Sequence, residues 1–490
     1  MHSLHEAQRR VQGQLARVAE CADSADAGFI AFERRLWTEL LALGRAVVAL
    51  FLVRRTARPR AIEYVHDGQR YRLDEVRTTE LGTRFGKLPF ARRVGRRVGA
   101  ASAAADLPID RELGLCGGFS LGVVVAMTRL CAQMAFAPAR ATFAESYEWT
   151  PSPRATLRMV DAVGSAARQF LEAVPAPEGD GEILVLQADG GGAPAITERE
   201  HRRRRQRRRR PTSGSARRQR REHRREHPRR RRTKGKKSKN AKVAFVGVIY
   251  TLRTTANGVE GPLNKRIYAT FESHEALFVW LRREADKRGY GKKRTVFLGD
   301  GSEHLWRCKE RHLPEAEECI DWYHVVEKLW AGGEALHPEG SPELASWVAR
   351  QKSRLRRGAA PSVIMSLEQH LATIPRSGPG NKGKRVRLVR ALRYLREHLH
   401  RMRDHVLRDA DLDIATGAVE GAVRNLVRMR LDGPGMRWGI DRAEHVLHLR
   451  CVLLNGQWAA FSEHIARLDG SVRLAAQPLP ARTHDAKAAA

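Results

Sequence analysis

Residues 295–330, TVFLGDGSEHLWRCKERHLPEAEECIDWYHVVEKLW, are the stretch from which the rest of the chain can be understood. The opening TVFL is β-branched and aromatic, which predicts a buried strand that ends just before Asp300. A second apolar step, Cys319-Ile320, leads to Asp321 at the next strand end. Ligands and metals collect at the carboxyl ends of strands in α/β sheets. Two acids in such places indicate a divalent-metal site whose other ligands lie elsewhere in the chain.

Two distant segments supply a further acid each. Residues 183–187, ILVLQ, predict a strand that ends at Asp189, which three glycines follow. Residues 415–430 predict a helix because their apolar side chains recur at helical spacing, and Glu420 lies at the edge of that stripe. Asp189, Asp300 and Glu420 would together form a three-carboxylate site. Hard cations prefer oxygen ligands, so Mg²⁺ or Mn²⁺ is the expected cofactor.

The order of these segments indicates an α+β fold. A strand with an Asp is followed by antiparallel strands, a helix, a second strand with an Asp and a distant helix with a Glu, which is the RNase H-like arrangement. We therefore expect an RNase H-like mixed-sheet catalytic core with a helical insertion, preceded by a mainly helical N-terminal region. The segments LQADGGG, FLGDGSEHLW, CIDWYHVVEKLW and GAVEGAVRNLVRMRLDGPGMRWG resemble the DDE transposases of bacterial insertion sequences. The resemblance is to the ISKra-type group, which is related to the Mutator-like and hAT-like transposases.

This resemblance implies an activity and its partners. A DDE transposase binds the terminal inverted repeats of an insertion sequence and catalyses metal-dependent DNA strand cleavage and strand transfer by two-metal-ion phosphoryl transfer. The implied partners are double-stranded DNA, both transposon ends and target, and further copies of the chain in a homo-oligomer on DNA. Asp189 would bridge the two ions, with Asp300 and Glu420 each completing one side. Asp321 and His324 match the Asp-x-x-His element of the related families and are expected to support the site.

Two other classes of function remain open. One is an RNase H-like, structure-specific nuclease, and the other is a nucleic-acid-binding protein without chemistry. An Asp before Gly is usually a turn former, a lone Glu is an ordinary helix residue, and His324 is equally compatible with a structural role. A zinc site at His304, Cys308 and His312 would take all its ligands from one helix face, and the usual spacing of zinc ligands is absent from the sequence.

The charge of the chain indicates a polyanionic partner. Lys and Arg exceed Asp and Glu by 34 over 490 residues. Residues 199–242 hold 24 basic and 3 acidic residues and offer almost nothing apolar to bury, so they predict a disordered basic insert that grips phosphates. An excess of 13 remains outside the insert. Near Glu420, three arginines are expected to contact DNA phosphates: Arg424, Arg428 and Arg437.

A second DNA contact is expected before the core. Two short helical segments, a tight break and a third segment that starts with Ser152-Pro153 match a candidate helix-turn-helix. Arg154 and Arg158 on the third helix would then face a DNA groove. Any pair of packed helices gives a similar pattern, so a purely structural role stays open.

The predicted domain order follows from these segments. It runs 1–112 (N-terminal helical and hairpin region), 113–178 (helical, candidate helix-turn-helix), 179–330 (first part of the core, with the insert 199–242), 331–411 (helical insertion), 412–465 (second part of the core) and 466–490 (tail). The longest apolar runs, 40–53 and 119–137, contain arginines and are too short to span a bilayer. The N-terminus has no apolar signal core and the six cysteines form no CxxC pair, so we expect a cytoplasmic protein without a membrane partner.

Overall fold

A computed structural model of the chain describes residues 4–23, 28–99, 105–197, 199, 200, 202, 203, 206, 241–410, 412 and 417–468. The fold is a mixed α+β arrangement with two sheets. The chain divides into two compact units, one of residues 1–170 and 456–490 and the other of residues 171–455. The boundary after Asn455 falls inside the predicted segment 412–465. Of the predicted basic insert 199–242, only residues 199, 200, 202, 203, 206, 241 and 242 lie within the described part, and most of the tail lies outside it.

The helices and strands follow one another in this order. The first unit contains α1 (Leu4–Glu20), α2 (Phe29–Thr56), β1 (Glu63–His66), β2 (Gln69–Thr83), β3 (Gly86–Arg97), α3 (Pro108–Glu112), α4 (Leu121–Gln133), α5 (Phe136–Tyr147) and most of α6 (Pro153–Ala173). The second unit contains β4 (Ile183–Pro194), β5 (Ala241–Thr255), β6 (Gly258–Thr270), α7 (His274–Lys287), β7 (Arg294–Gly299), α8 (Glu303–His312), β8 (Glu317–Ile320), α9 (Trp322–Gly333), α10 (Pro342–Arg356), α11 (Ala360–Thr373), α12 (Asn381–Glu397), α13 (Asp404–Asp409), α14 (Gly417–Val423) and α15 (Ile440–Leu454). The helix α16 (Trp458–Arg467) returns to the first unit.

The first unit is built on a three-stranded antiparallel sheet in the order β1-β2-β3. The predicted hairpin is present, and its turn runs from Thr83 to Gly86, where Gly86 adopts a φ of 114° that favours glycine. Gly82, just before the turn, lies within β2 and pairs with Lys87. A buried cluster that includes Leu52, Leu81 and Phe90 joins α2 to this sheet.

The candidate helix-turn-helix segment forms α4, α5 and the start of α6. As predicted, the Ser152 hydroxyl caps α6 by accepting a hydrogen bond from the Ala155 amide at 3.2 Å. Arg154 is exposed on the first turn, whereas Arg158 is half-buried and its Nε has no hydrogen-bond partner among the described residues. Arg154 is therefore the better placed of the two for contact with a ligand from solution.

One apolar helix is longer than the sequence indicates. The run 40–53 lies inside the 28-residue α2, which is long and apolar enough to cross a membrane by length and composition. Only 11% of its most apolar window is buried. The expectation that this run is too short to span a bilayer is therefore wrong. Length and composition do not by themselves distinguish such a helix from one that packs against protein.

The second unit is organised around a five-stranded mixed sheet in the order β6-β5-β4-β7-β8. The strands β6, β5 and β4 are antiparallel to their neighbours, while β7 runs parallel to β4 and β8 parallel to β7. This is the predicted succession of Asp strand, antiparallel strands, helix and Asp strand. It places the carboxyl ends of β4, β7 and β8 at one edge of the sheet.

Helices cover both faces of this sheet because small residues let them approach. A Cβ on Gly247 of β5 would stand 2.9 Å from Leu277 of α7, and a Cβ on Gly191 of β4 would stand 3.0 Å from Val423 of α14. Gly247 pairs with Ala188, one residue before Asp189, so the two glycines point to opposite faces. The helix α7 therefore packs on one face, and α14 packs on the face that carries Asp189.

The helical insertion contains α10 to α13, but one of its predicted helices is broken. The sequence predicts a single helix over residues 382–409, whereas α12 ends at Glu397 and α13 starts at Asp404. Between them, Arg401 donates a hydrogen bond to Glu318 at 2.6 Å, and its guanidinium lies 4.3 Å from the centre of the Trp306 ring. These contacts hold the segment between the two helices against the core.

Candidate active site

Three acids occupy equivalent positions on three neighbouring parallel strands. The last pairs in register are Ala188 with Gly299 and Gly299 with Ile320. The next residues along the three strands are Asp189, Asp300 and Asp321. Neighbouring strands lie about 4.8 Å apart, so the register places these aspartates side by side at the carboxyl edge of the sheet. The expected convergence of Asp189 and Asp300 is thus present in the backbone.

Asp189 lies within β4 rather than after it. The strand continues to Pro194 because residues 189–194 keep pairing with β5, although pairing with β7 stops at Ala188. Burial and the nearby carboxylates of Asp300 and Asp321 raise the pKa of Asp189, while the Gly190 amide and His324 oppose that rise. Burial and nearby negative charges disfavour the ionised form of this carboxyl group, and a cation bound beside it would stabilise that form.

Asp321 and His324 form a tight pair beside the acids. Asp321 is 3% exposed, accepts a hydrogen bond from the Tyr323 amide at 2.9 Å and so caps α9. Its other carboxylate oxygen lies 2.5 Å from Nδ1 of His324. This bond, together with the Asp321, Asp300 and Glu327 charges, raises the pKa of His324 to about 9 against the effect of burial. Asp321 therefore holds a protonated imidazole next to Asp300.

The Asp300 loop is held by its own neighbours and by the helical insertion. The Asp300 carboxylate accepts a hydrogen bond from the Ser302 amide at 2.9 Å, and its carbonyl accepts one from the Trp306 indole at 2.8 Å. The insertion reaches the loop from the other side, since a Cβ on Gly301 would overlap the ring of Tyr394. Gly301 is therefore required for α12 to pack this closely.

A buried amide fixes the helix that carries Glu420. Gln187, two residues before Asp189 on the same strand face, accepts a hydrogen bond from the Val419 amide at 3.0 Å. Its own amide donates to the Tyr250 hydroxyl at 3.1 Å. Glu420 follows Val419 directly and is exposed. After it, the helix contains a π-helical turn over Arg424–Arg428, a feature that is frequent at functional sites.

These residues provide a donor set that suits a hard divalent cation. Asp189 and Asp300 offer neighbouring carboxylates, and the Glu420 helix is anchored on the same face of β4. In the described part of the chain, no three His, Cys, Asp or Glu side chains are grouped closely enough to hold a metal ion. Glu420 is exposed on α14, and its carboxylate is not grouped with those of the two aspartates.

The other predicted contacts differ in exposure. Arg424, Arg428 and Arg437 are all exposed on or after the Glu420 helix, as phosphate contacts require. Trp438, which follows Arg437 directly, is buried and donates a hydrogen bond to the Leu431 carbonyl at 2.8 Å, so it is a core residue.

The zinc hypothesis is not supported by the described residues. Cys308 and His312 both contact Glu275 of α7, with His312 Nε2 only 2.7 Å from the carboxylate. His304 instead lies against His274, with ring centres 5.1 Å apart. The three side chains therefore have separate partners, and the described residues contain no metal-holding group.

Two residues beside the acids were not predicted from the sequence. Tyr394 lies against Gly301. Burial and the His304 ring lower the pKa of His274, and the nearby Asp300 carboxylate opposes that lowering. His274 begins α7 directly after the capping Ser273, which is a recognisable sequence signal. Tyr394 has no such signal, because it is 93 residues after Gly301 in the chain.

Comparisons with known proteins give little beyond these observations. No family model matches the chain, and no curated protein matches it. Among solved structures, it is similar to the Drosophila P element transposase strand transfer complex, with a TM-score of 0.30 and 10% sequence identity. The similarity covers 68% of this chain and 92% of that chain. A TM-score of this size does not by itself establish a shared fold.

Proposed function

We propose that this chain is a DDE-type DNA transposase with an RNase H-like core, which binds the ends of an insertion sequence and cleaves and joins DNA strands. The observation that carries the proposal is the strand register, in which Asp189 and Asp300 directly follow the paired residues Ala188 and Gly299. The Gln187 hydrogen bond to Val419, which holds the Glu420 helix on the same strand face, supports it further. The motifs that resemble the ISKra-type group supply the reaction class. The net charge of +34 supports DNA as the substrate.

Asp189, Asp300 and Glu420 would hold Mg²⁺ or Mn²⁺. Two such ions can activate an attacking hydroxyl and stabilise the leaving oxygen of a phosphodiester. Other residues of the chain would supply positive charge: the hydrogen bond to Asp321 favours the protonated form of His324. The exposed arginines near Glu420 are available to neutralise DNA phosphates.

A cleavage and joining assay tests the proposal. The substrate is a duplex made from the DNA that flanks the reading frame, where a transposase requires short inverted repeats, and the assay contains Mg²⁺ and a second duplex as target. We expect Asp300→Asn and Glu420→Gln each to lower the cleavage rate by about 10³-fold or more, because each removes one ligand charge, while DNA affinity is retained. Glu303→Gln is the matched control, since Glu303 is an exposed acid three residues after Asp300.

The products separate the remaining alternatives. A released 3′ end that becomes joined to the target supports a transposase, whereas hydrolysis without joining indicates a nuclease. Binding without any Mg²⁺-dependent cleavage by the wild-type protein would contradict both and leave a nucleic-acid-binding protein.

A further inference from the structure

The helical insertion places one tyrosine at the acidic edge of the sheet. A Cβ on Gly301 would overlap Cε2 of Tyr394 and stand 3.0 Å from Cζ, so the hydroxyl end of the ring lies over the residue that follows Asp300. The ring is held from two other sides: Lys328 Nζ lies 5.1 Å from its centre, and the His398 ring packs edge-on at 4.7 Å. Tyr394 therefore has a fixed position at the candidate site.

The Tyr394 hydroxyl lacks a hydrogen-bond partner within the described part of the chain. Its oxygen is buried and bonds to none of the described residues. A buried hydroxyl that is left unsatisfied costs free energy, and such groups in native proteins usually mark an ion, a water or a ligand that binds there. Burial and the carboxylates of Asp300, Asp321 and Glu327 raise its pKa above the ordinary value for tyrosine, so the hydroxyl remains a donor at neutral pH.

The surroundings identify what this donor can bind. Three carboxylates, those of Asp300, Asp321 and Glu327, lie near the hydroxyl, and it donates a hydrogen bond to none of them. No described residue supplies the missing acceptor, so a ligand that binds at the acids is the candidate for it. In the proposed reaction, that ligand is the phosphodiester, whose non-bridging oxygens are strong acceptors.

We infer that Tyr394 is a catalytic residue, whose hydroxyl donates a hydrogen bond to a non-bridging oxygen of the phosphodiester that reacts at Asp300. This inference rests on the proposed function. The helical insertion then takes part in catalysis, because its helix α12 supplies the hydrogen-bond donor. A donor aimed at the phosphate stabilises the charge that develops during phosphoryl transfer.

The test compares Tyr394→Phe with a matched control in the full-length protein. Tyr290 is also a half-buried tyrosine of the second unit, but its hydroxyl accepts a hydrogen bond from the Glu315 amide at 3.0 Å. It precedes β7 and so lies at the opposite end of that strand from Asp300. The measurements are single-turnover cleavage of the repeat-end duplex in saturating Mg²⁺, DNA affinity, Mn²⁺ affinity and melting temperature.

We expect opposite signatures for the two variants. Tyr394→Phe lowers the cleavage rate by about 10²-fold, the usual effect of losing one such donor, with unchanged DNA and Mn²⁺ affinity and an unchanged or higher melting temperature. Tyr290→Phe keeps the cleavage rate and lowers the melting temperature. Sulfur is a weaker hydrogen-bond acceptor than oxygen. In the phosphorothioate diastereomer that has sulfur in place of the contacted non-bridging oxygen, the cleavage rates of Tyr394→Phe and the wild type therefore differ less than they do on the normal substrate.

Three results would overturn the inference. They are a wild-type cleavage rate in Tyr394→Phe, a melting temperature lowered as in Tyr290→Phe, and a weakened Mn²⁺ affinity, which would place the hydroxyl on the metal rather than on the phosphate. Asp300→Asn in the same assay separates this inference from the proposed function. If Asp300→Asn abolishes cleavage and Tyr394→Phe does not affect it, only the inference fails. If the wild-type protein does not cleave at all, the proposed function fails and the inference fails with it.

Discussion

The Asp321–His324 pair is a residue-scale feature that sets the charge of the site. Three aspartates at neighbouring strand ends would repel one another, and a protonated imidazole beside them offsets part of that repulsion. The imidazole can remain protonated because the almost fully buried Asp321 carboxylate accepts a hydrogen bond from its Nδ1 at short range. The same aspartate also caps α9, so helix geometry and site charge depend on one side chain.

The ionisation of His324 can be measured directly. In metal-free protein, we expect the His324 ring to titrate with a pKa of about 9, as seen by the chemical shift of its carbon-bound protons. Asp321→Asn should lower this pKa toward the ordinary value of about 6.5, because the neutral amide no longer favours the charged ring. Asparagine still caps a helix, so the α9 helix content should be retained. A His324 pKa that does not change in the variant would contradict this account.

The same shift predicts how stability depends on pH. The folded pKa of His324 lies above its unfolded value, so the stabilisation is fully present below about pH 6.5 and is lost as the pH rises through about 9. Wild-type protein in EDTA should therefore lose more of its unfolding free energy between pH 7 and pH 10 than Asp321→Asn does. Equal losses in urea titrations of the two proteins would show that the pair does not stabilise the fold.

The sequence predicts some of these residues and not others, for a physical reason. Asp189, Asp300 and Asp321 can be found because each follows an apolar run that has the composition of a strand. Gln187 and Tyr394 cannot, because their roles arise from contacts over long sequence separations. Gln187 bonds to a residue 232 positions later, and no local pattern indicates that partner.

At the scale of elements, the site depends on how closely α14 lies on β4. The approach is allowed by Gly191, whose Cβ would stand 3.0 Å from Val423 and 3.0 Å from Val427. The next glycine, Gly192, has room for a Cβ, whose nearest neighbour would be Ala241 at 3.9 Å, an ordinary van der Waals distance. Two neighbouring glycines of one strand therefore have opposite surroundings.

Alanine substitutions at these two positions form a matched pair. We expect Gly191→Ala to lower the unfolding free energy by about 1–3 kcal/mol, because the added methyl group pushes the Glu420 helix away from the strand. Gly192→Ala should be within about 0.5 kcal/mol of wild type or slightly stabilising, since alanine reduces the freedom of the unfolded chain. Urea unfolding measures both. Equal effects in the two variants would mean that α14 is not closely packed on β4.

The sequence predicts the helices and strands whose limits depend on local residue patterns, and it does not predict limits that depend on tertiary contacts. The succession of strands and helix along the second unit follows from apolar runs and breaks, and it is as predicted. The break between α12 and α13 is not visible in the apolar repeat, because it arises where Arg401 contacts Glu318 and Trp306. Residues 190–192 suggest a turn by composition, yet they continue β4 because β5 provides pairing partners.

At the scale of the whole molecule, charge is the dominant feature. The excess of 34 positive charges includes the basic residues of the segment 199–242, and the proposed partner is a polyanion. Binding that neutralises phosphates releases counterions, so the logarithm of the affinity falls linearly with the logarithm of the salt concentration. The slope counts the phosphates that are neutralised.

Replacement of residues 207–240 by a Gly/Ser segment of equal length tests the part played by this charge. We expect weaker binding to duplex DNA of any sequence and a shallower salt dependence, by about 0.9 in the slope for each phosphate that is no longer neutralised. Metal binding by the acids should be retained, because the replacement leaves β4 and β5 intact. An unchanged slope, measured by fluorescence anisotropy at several salt concentrations, would show that the segment does not bind the DNA backbone.

The central claim is that Asp189, Asp300 and Glu420 bind divalent metal together, and Mn²⁺ titration followed by electron paramagnetic resonance tests it most directly. We predict that Asp189→Asn, Asp300→Asn and Glu420→Gln each weaken Mn²⁺ binding by about tenfold or more, which corresponds to about 1.4 kcal/mol, while Glu303→Gln binds as the wild type does. Wild-type affinity in any one of the three variants would contradict the claim, because that acid would then not share the ions with the other two.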